Sequence, residues 1–440
     1  MKKFLYSVFM LAAVVLAACS NDDNGDTQPK RGMTLNASVE NLSSRATMTD
    51  ESGTWKFAFA ANDQVSVSNS KITSYYTFTN NGSQFTCAQA EVTKEAADWY
   101  AYFPGNDVDL TNQTGTFAAV ANKFAVAGGT AEATTGEKGL SITLKPKVAV
   151  LRVVAVDKKG ILDINVKTAD SKWVKGLTAT KNAADFAVSK SDTKTTLLYK
   201  AAGTVNAGEI NYVVVPAGVK IAIYNGNLLL NTTNADGLKA GKYYTITSGP
   251  TKGKENALIK GVEKKINWVQ LWAGGPRFAT DNVDEEMTWT EAAKTGSEYV
   301  WGENWRTASA DEVTESGGLQ ANWVVDKDTQ KGEWVVPEGS PTITINTSAN
   351  GTETVVFTGV QPGYTKNTLT LYNKVDKEEG SSNFWFWTTT KGINDQYGSL
   401  FHIKTYKGKI YGFGIFSNNI ENKYLVRPVL SIQNITNNKK

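Results

Sequence analysis

Apolar and polar residues alternate along much of the first 250 residues. Leu35, Ala37 and Val39 are each followed by a polar residue, and the same period of two recurs further along the chain. Since neighbouring side chains of a strand point to opposite faces, this period predicts half-buried β-strands. Two such segments flank Asn80-Asn81-Gly82, whose glycine favours a tight turn, so we expect a hairpin with Cys87 as a small buried residue.

A long apolar run from residue 141 to residue 156 is interrupted by Pro146. Because proline cannot donate a ladder hydrogen bond, it predicts a crossing between two sets of strands. Short strands with frequent turns favour antiparallel β-sandwiches, and the segment from Ser248 to Lys254 predicts a linker. We therefore predict a first sandwich over residues 34–147, a second over residues 148–248 and a third domain over residues 255–440.

The third predicted domain holds nine of the twelve tryptophans. Its helix candidates are short: Thr288 to Thr295, and a turn at Ser309 to Thr314 in which Ser309 and Glu312 have capping-box spacing. The segment from residue 400 to residue 416 predicts a hairpin through Lys407-Gly408, followed by a last strand from residue 424 to residue 432. The predicted fold class is mainly β, ending in an α+β domain.

The chain contains one histidine, His402, and two cysteines, Cys19 and Cys87. Most hydrolytic triads, zinc sites and proton shuttles use histidine, and a disulfide framework needs more cysteines, so these site classes are excluded. In a strand, His402 would point away from Phe401 and Ile403 and so toward solvent. No partner for catalysis stands near it in the sequence, and we expect no enzyme activity, no metal and no cofactor.

The formal net charge is only +3, with no basic block and no phosphate-binding glycine loop, so nucleic acid is not an expected partner. A hydrolase with two catalytic carboxylates remains open, since it needs no histidine, but no carboxylate pair stands out.

Residues 1–18 have the form of a secretory signal, with two lysines, an apolar run and small residues before Cys19. This arrangement resembles a bacterial lipobox and implies lipidation of Cys19 and a lipoprotein held in the outer membrane, exposed at the surface. The alternative is an ordinary signal peptide. Residues 19–33 are polar and acidic and predict a flexible linker, which resembles the surface-export signal of Bacteroides-type lipoproteins.

A series of segments in the first 250 residues resembles the fimbrillin family, the lipoprotein subunits of type V pili. The segments, in chain order, are SSRAT from Ser43, DQVSV from Asp63, YAYFP from Tyr100, VVVPAG from Val213 and AGKYY from Ala240. The resemblance implies two transthyretin-like β-sandwiches and assembly with other pilus subunits by strand exchange after an arginine-specific cut. The cut would fall between Arg45 and Ala46, behind the first strand; the alternative is an arginine in an ordinary polar loop.

The last 180 residues resemble the C-type-lectin-like modules of secreted bacterial proteins. The resemblance rests on WTEAA from Trp289, WGENWRT from Trp301, FWFWTT from Phe384 and VRPV from Val426. The sequence departs from calcium-dependent lectins at Gln361-Pro362-Gly363, so sugar binding through calcium is not expected. Four acidic residues form a cluster for which a solvated loop is favoured over weak calcium binding: Asp281, Asp284, Glu285 and Glu286.

Tryptophan rings stack on sugar faces but also fill cores. The candidate ligand-binding residues are Trp301, Trp305, Trp385 and Trp387, with core packing favoured for any one of them. Alternation places Phe384 and Phe386 on one face of a strand and the tryptophans at 385 and 387 on the other, so one pair is expected in the core.

These features together predict a non-enzymatic fimbrial subunit that binds a host or bacterial glycan or protein through its third domain. A last strand inside that domain leaves only the polar segment 433–440, which is too poor in apolar residues to fill a neighbour's groove, and this favours a position at the filament tip. The alternative function is a surface glycan-binding lipoprotein that does not polymerise.

Overall fold

The computed structural model describes residues 33–40, 59–88, 98–130, 139–194, 196–283, 285–294, 300–314, 317–372 and 381–431. Cys19, Arg45 and Ala46, the predicted lipidation and cleavage residues, lie outside the described residues, as do the signal segment and most of the linker. The mainly β class is confirmed, because strands form most of the described structure and its helices have at most five residues. No described helix has the length and apolar character needed to cross a membrane.

The first set of strands closes into a barrel in the order β1-β4-β3-β2-β5-β7-β8. Strand β1 completes it by pairing antiparallel with β4 and parallel with β8. The elements of this part are β1 (Met33–Val39), β2 (Gln64–Asn69), β3 (Tyr76–Asn80), β4 (Phe85–Cys87), β5 (Trp99–Phe103), β6 (Asp107–Asp109), α1 (Phe117–Val120), β7 (Val126–Thr130) and β8 (Gly139–Pro146).

The predicted hairpin around Gly82 is confirmed as β3 and β4. Gly82 has a φ of 98°, a conformation that glycine adopts without strain, and its N–H donates to the side-chain oxygen of Asn80. Cys87 is 7% exposed, as its place in the strand pattern predicts.

Two further sheets follow, of which one has the order β12-β11-β10-β15-β16 with β6 and β13 paired beside it, and the other the order β14-β9-β17. Strand β8 ends at Pro146 and the next begins at Val148 in a different sheet, where the proline predicted a crossing. The strands are β9 (Val148–Val154), β10 (Asp163–Thr168), β11 (Trp173–Ala179), β12 (Phe186–Ser191), β13 (Tyr199–Lys200), β14 (Ile210–Pro216), β15 (Ile221–Asn225), β16 (Leu228–Thr232) and β17 (Tyr243–Thr247).

One hydrophobic core runs through the barrel and these two sheets. It joins Leu35 and Phe78 of the barrel to Val150 and Val214 of the small sheet, all of them fully buried. The predicted division into two domains at residue 147 therefore stays a prediction, since the sheets change there but the core does not.

The rest of the chain forms a five-stranded sheet in the order β18-β19-β20-β30-β21, a two-stranded hairpin and two three-stranded sheets. Its elements are β18 (Lys252–Ile259), β19 (Val262–Gln270), β20 (Arg277–Ala279), α2 (Trp289–Ala292), β21 (Trp305–Thr307), α3 (Ala310–Thr314), β22 (Asn322–Val325), β23 (Gly332–Val335), β24 (Thr342–Thr347), β25 (Glu353–Thr358), β26 (Thr368–Leu371), β27 (Ser381–Lys391), β28 (Tyr397–Tyr406), β29 (Lys409–Asn419) and β30 (Pro428–Leu430).

Local signals placed several of these elements correctly. The backbone N–H of Glu312 donates to the Ser309 hydroxyl and that of Ser309 to the Glu312 carboxylate, which confirms the predicted capping box ahead of α3. A second box, between Thr288 and Glu291, starts α2. Strands β28 and β29 form the predicted hairpin around Lys407-Gly408.

The predicted linker from Ser248 to Lys254 is not a free connection. Ser248 is 7% exposed and its N–H donates to the carbonyl of Val154, while residues 252–254 already belong to β18. The composition of this segment predicted a flexible linker because its residues are small and polar, but backbone hydrogen bonds to neighbouring strands hold these residues in place.

Candidate functional site

Strand β1 occupies a slot between β4 and β8. The Cα of Leu35 lies opposite those of Phe85 in β4 and Leu140 in β8, and all three side chains are buried. At its end, the N–H of Glu40 donates to the carbonyl of Leu144, and the Glu40 carboxylate lies 3.0 Å from the Lys145 ammonium. Both partners of that ion pair are exposed, so the apolar side chains and the two ladders supply most of the strand's affinity for the slot.

Removing β1 would leave two sheet edges without partners. Strand β4 pairs with β3 and β8 with β7 on their other sides, so among the described strands β1 is the one that closes the barrel between them. The groove left behind would be lined by Phe85, Leu140 and Ile142, whose side chains are at most 3% exposed while β1 is present. An apolar groove flanked by two unpaired edges is the arrangement that accepts another strand.

Two of the four candidate tryptophans are core residues. Trp305 is fully buried, and its indole N–H donates to the carbonyl of Asn256 at 2.9 Å. Trp387 is 2% exposed, and its N–H donates to the carbonyl of Met287 at 2.8 Å. Because their rings and indole N–H groups are already engaged, neither offers a ligand a surface, and both fit the core packing that the sequence favoured over ligand binding.

The alternation in β27 holds, but both faces of the strand are covered. Phe384 and Phe386 lie in the main core of this part, as expected for one pair. Trp387, on the other face, is buried against Leu400 and Val426 in a second cluster. The period of two indicates the face of the strand to which a side chain points. It does not indicate whether another element covers that face.

His402 is buried and stacked on Trp385, so the prediction that it faces solvent is wrong. The two ring centroids lie 3.3 Å apart with an angle of 7° between the planes, and His402 is 6% exposed. Its Nε2 atom lies 3.2 Å from the side-chain oxygen of Asn383. Burial, together with the charge of Lys404, lowers the pKa of His402 to about 4, which keeps the ring neutral at pH 7.

Trp385 is half-buried among other rings. Besides His402, the Tyr424 ring lies 5.8 Å from it and the Phe416 ring 6.5 Å. These neighbours leave little of the indole face for a ligand, so Trp385 is a weaker candidate than its sequence context suggested.

Trp301 differs from the other three because it lines an open cleft. Trp301 and Gly302 have φ values of 57° and 92°, and the Trp301 carbonyl accepts the N–H of Leu258 at 2.8 Å. The indole is half-buried, with its ring 5.8 Å from that of Trp305. The cleft has a volume of about 480 Å³.

The cleft has an apolar floor and a charged rim. The apolar lining residues are buried or half-buried and form the floor: Ile259, Val283, Met287, Val300 and Trp301. The charged lining residues are exposed and form the rim: Lys260, Glu285, Glu286, Glu291, Lys294 and Lys423. Sequence reasoning selected Trp301 but none of the lysines, because Lys260, Lys294 and Lys423 come from three distant segments and carry no local signal.

Two of the rim carboxylates already have partners. Glu285 lies 2.7 Å from the Lys260 ammonium. Glu291 accepts hydrogen bonds from the backbone and hydroxyl of Thr288, which lower the pKa of Glu291 below its usual value, with Lys423 and Lys294 adding to the effect. Within the described residues, no group of three acidic, histidine or cysteine side chains is arranged to hold a metal ion. Asp284 of the predicted acidic cluster lies outside them.

No protein-family model matches the chain, and neither does any curated protein sequence. Several solved structures are similar to this chain, and three of them are described here. A candidate cell adhesion protein of Bacteroides thetaiotaomicron is 15% identical, with 49% of this chain and 91% of that chain covered and a TM-score of 0.25. One from Bacteroides uniformis is 12% identical, covering 55% and 98%, with a TM-score of 0.29.

A fimbrial protein of Bacteroides ovatus is 12% identical over 91% of this chain and 99% of that chain, with a TM-score of 0.24. These three structural neighbours are one fimbrial protein and two candidate cell adhesion proteins of Bacteroides. At these identities and TM-scores no residue role transfers from them, and function has to be inferred from the chain's own residues.

Proposed function

We propose that this protein is a fimbrial subunit, anchored to the outer membrane as a lipoprotein before assembly, that acts by binding and not by catalysis. The observation that carries the proposal is the place of β1: the first strand fills a slot between β4 and β8. Arg45 and Ala46 come after that strand and before β2 in the sequence. A cut between them would separate β1 from the rest of the chain covalently and free the slot for a neighbour's strand.

The position proposed for the subunit is the filament tip. The last described strand, β30, pairs with β20 on one side and β21 on the other, and Val429 in its centre is fully buried. A strand held in the middle of a sheet is not free to enter another subunit. The subunit would accept a strand through its barrel and expose the part after residue 250 for adhesion.

The decisive experiment compares two arginine variants in the native host. Arg45→Ala should leave the surface protein uncut and reduce its amount in sheared filaments, whereas wild-type protein from filaments should begin at Ala46 by mass spectrometry. Arg31→Ala is the matched control, because Arg31 precedes β1 and a cut there would leave the strand attached.

Wild-type filaments whose subunit begins at Cys19 would refute the cut. Immunogold labels on the membrane and none on filaments would favour the non-polymerising alternative. Labels spaced along the shaft, with an antibody against residues 255–440, would contradict the tip position.

A further inference from the structure

The cleft at Trp301 has the size of a ligand site. Its volume of about 480 Å³ lies within the range of about 300–1,000 Å³ that is usual for small-molecule pockets. The cavity beside Trp387, by contrast, has a volume of about 20 Å³, which is room for about one water molecule. Of the four candidate tryptophans, Trp301 is therefore the one with room beside it for an organic molecule.

The chemistry of the cleft indicates what such a molecule looks like. Its floor offers an indole ring and four aliphatic side chains, and its rim carries three carboxylates and three ammonium groups, which balance in charge. A balanced rim gives no net attraction for a strongly anionic or cationic ligand. It does suit a ligand with many hydroxyl groups, since each hydroxyl both donates to a carboxylate and accepts from an ammonium group.

Three of the rim groups are well placed to serve a ligand. Glu286, Lys294 and Lys423 are exposed and form no ion pair within the described part of the chain. Because Lys260 with Glu285 and Thr288 with Glu291 already satisfy one another, these three are the rim groups most ready to exchange water for hydroxyl groups.

We infer that the Trp301 cleft binds a neutral oligosaccharide, with the C–H face of one sugar ring on the indole and the hydroxyl groups on Glu286, Lys294 and Lys423. This inference rests on the proposed adhesive function and names the class of ligand. Binding does not need calcium, because the hydroxyl partners are side chains of the protein.

The backbone at Trp301 supports a role beyond packing. A positive φ is uncommon for a bulky residue, whereas asparagine and glycine adopt it readily. If this turn only reversed the chain, asparagine at position 301 would adopt the positive φ with less strain than tryptophan. The turn places the indole in the cleft wall, and a ligand that stacks on the ring gives a physical reason for keeping tryptophan there.

Trp301→Asn removes the ring and keeps a residue that suits the positive φ. Because the indole also packs against two core clusters, the melting temperature of this variant is measured together with its binding. The full mature chain is tested on a panel of neutral, sialylated and sulfated oligosaccharides, with and without EDTA. We expect binding to neutral members, unchanged by EDTA and weakened about tenfold or more by Trp301→Asn. Trp323→Ala is the matched control, because Trp323 is 52% exposed and lies outside the cleft.

A second variant guards against loss of folding at Trp301. Glu286 and Lys423 are exposed rim residues, so Glu286→Gln combined with Lys423→Ala should keep the wild-type melting temperature and still weaken binding. Absence of oligosaccharide binding, preference for sulfated or sialylated members, or equal binding by the Trp301→Asn and Trp323→Ala proteins would each overturn the inference. Filament localisation is measured separately, so failure of the fimbrial proposal would be seen independently of the glycan result.

Discussion

The imidazole of His402 stacks face to face on the indole of Trp385, at 3.3 Å between ring centroids, although the two residues come from different strands. The pairing of β27 with β28 places Trp385 directly opposite His402. Burial lowers the pKa of His402, so the ring is neutral at pH 7 and its protonation would place a charge in a buried site. The stability of the fold should therefore depend on pH.

Acid should weaken the fold through His402. The folded pKa is lowered to about 4 from 6.5, so the unfolded chain binds more protons between these values and stability falls as pH drops from about 6.5 to about 4. We expect His402→Gln to reduce the loss of stability between pH 6.5 and pH 4 by a few kcal/mol at most. Urea unfolding of the wild-type and His402→Gln proteins across this pH range measures the free energy of unfolding of each. Because the chain has one histidine, no other imidazole contributes. Parallel curves would contradict the prediction.

The buried strand β1 should be essential to the uncut protein. Leu35→Ala removes a fully buried side chain from the barrel core and should lower the free energy of unfolding by about 2–5 kcal/mol. Asn36→Ser, at an exposed position of the same strand, is the control. Chemical denaturation of a recombinant chain that begins at residue 19 gives both values, and equal midpoints would show that β1 adds little to the barrel.

The ion pair between Arg306 of β21 and Glu312 of α3 should stabilise the C-terminal part. Burial opposes ionisation of Glu312, but hydrogen bonds and charge from Arg306, with help from Ser309, keep the pKa of Glu312 below its usual value. Glu312→Gln should cost about 2 kcal/mol at pH 7. The pKa of Glu312 is lower in the folded chain than in the unfolded chain, so its ionised form stabilises the fold above the unfolded pKa, and this contribution is lost as pH falls. The difference in stability between wild type and Glu312→Gln should therefore shrink in acid. Differential scanning calorimetry at pH 7 and pH 3 tests this, and an equal loss at both values would refute it.

The junction between the sheets before and after residue 250 should depend on Asp157. Its carboxylate lies 2.9 Å from the guanidinium of Arg277, whose side chain is only 6% exposed. Asp157→Asn would leave that buried cation without its charged partner, at a cost of about 2 kcal/mol, since Asp157 itself is half-exposed. Lys172, whose surface ion pair with Asp192 is exposed on both sides, offers the control Lys172→Met. Faster limited proteolysis near residue 250 in Asp157→Asn alone is the expected outcome, and identical digestion would count against it.

Local features of this chain were readable from the sequence because they depend on neighbours. The period of two marked the strands, Gly82 and Gly408 marked turns that need a positive φ, and the spacing of Ser309 and Glu312 marked a capping box. Each of these is decided by backbone sterics or by hydrogen bonds over a few residues.

The functional surfaces were decided by contacts between distant segments. Strand β1 pairs with β8 more than a hundred positions away, and no local pattern names a parallel partner at that distance. The alternation at Trp385 and Trp387 indicates the face of the strand to which each side chain points, but not whether another element packs on that face. It therefore predicted neither the burial of Trp387 nor that of His402. The cleft exists because three separate segments bring Lys260, Lys294 and Lys423 around Trp301. The sequence determines which side chains leave the backbone on the same face; only the packing of whole sheets decides which of them remain open to a ligand.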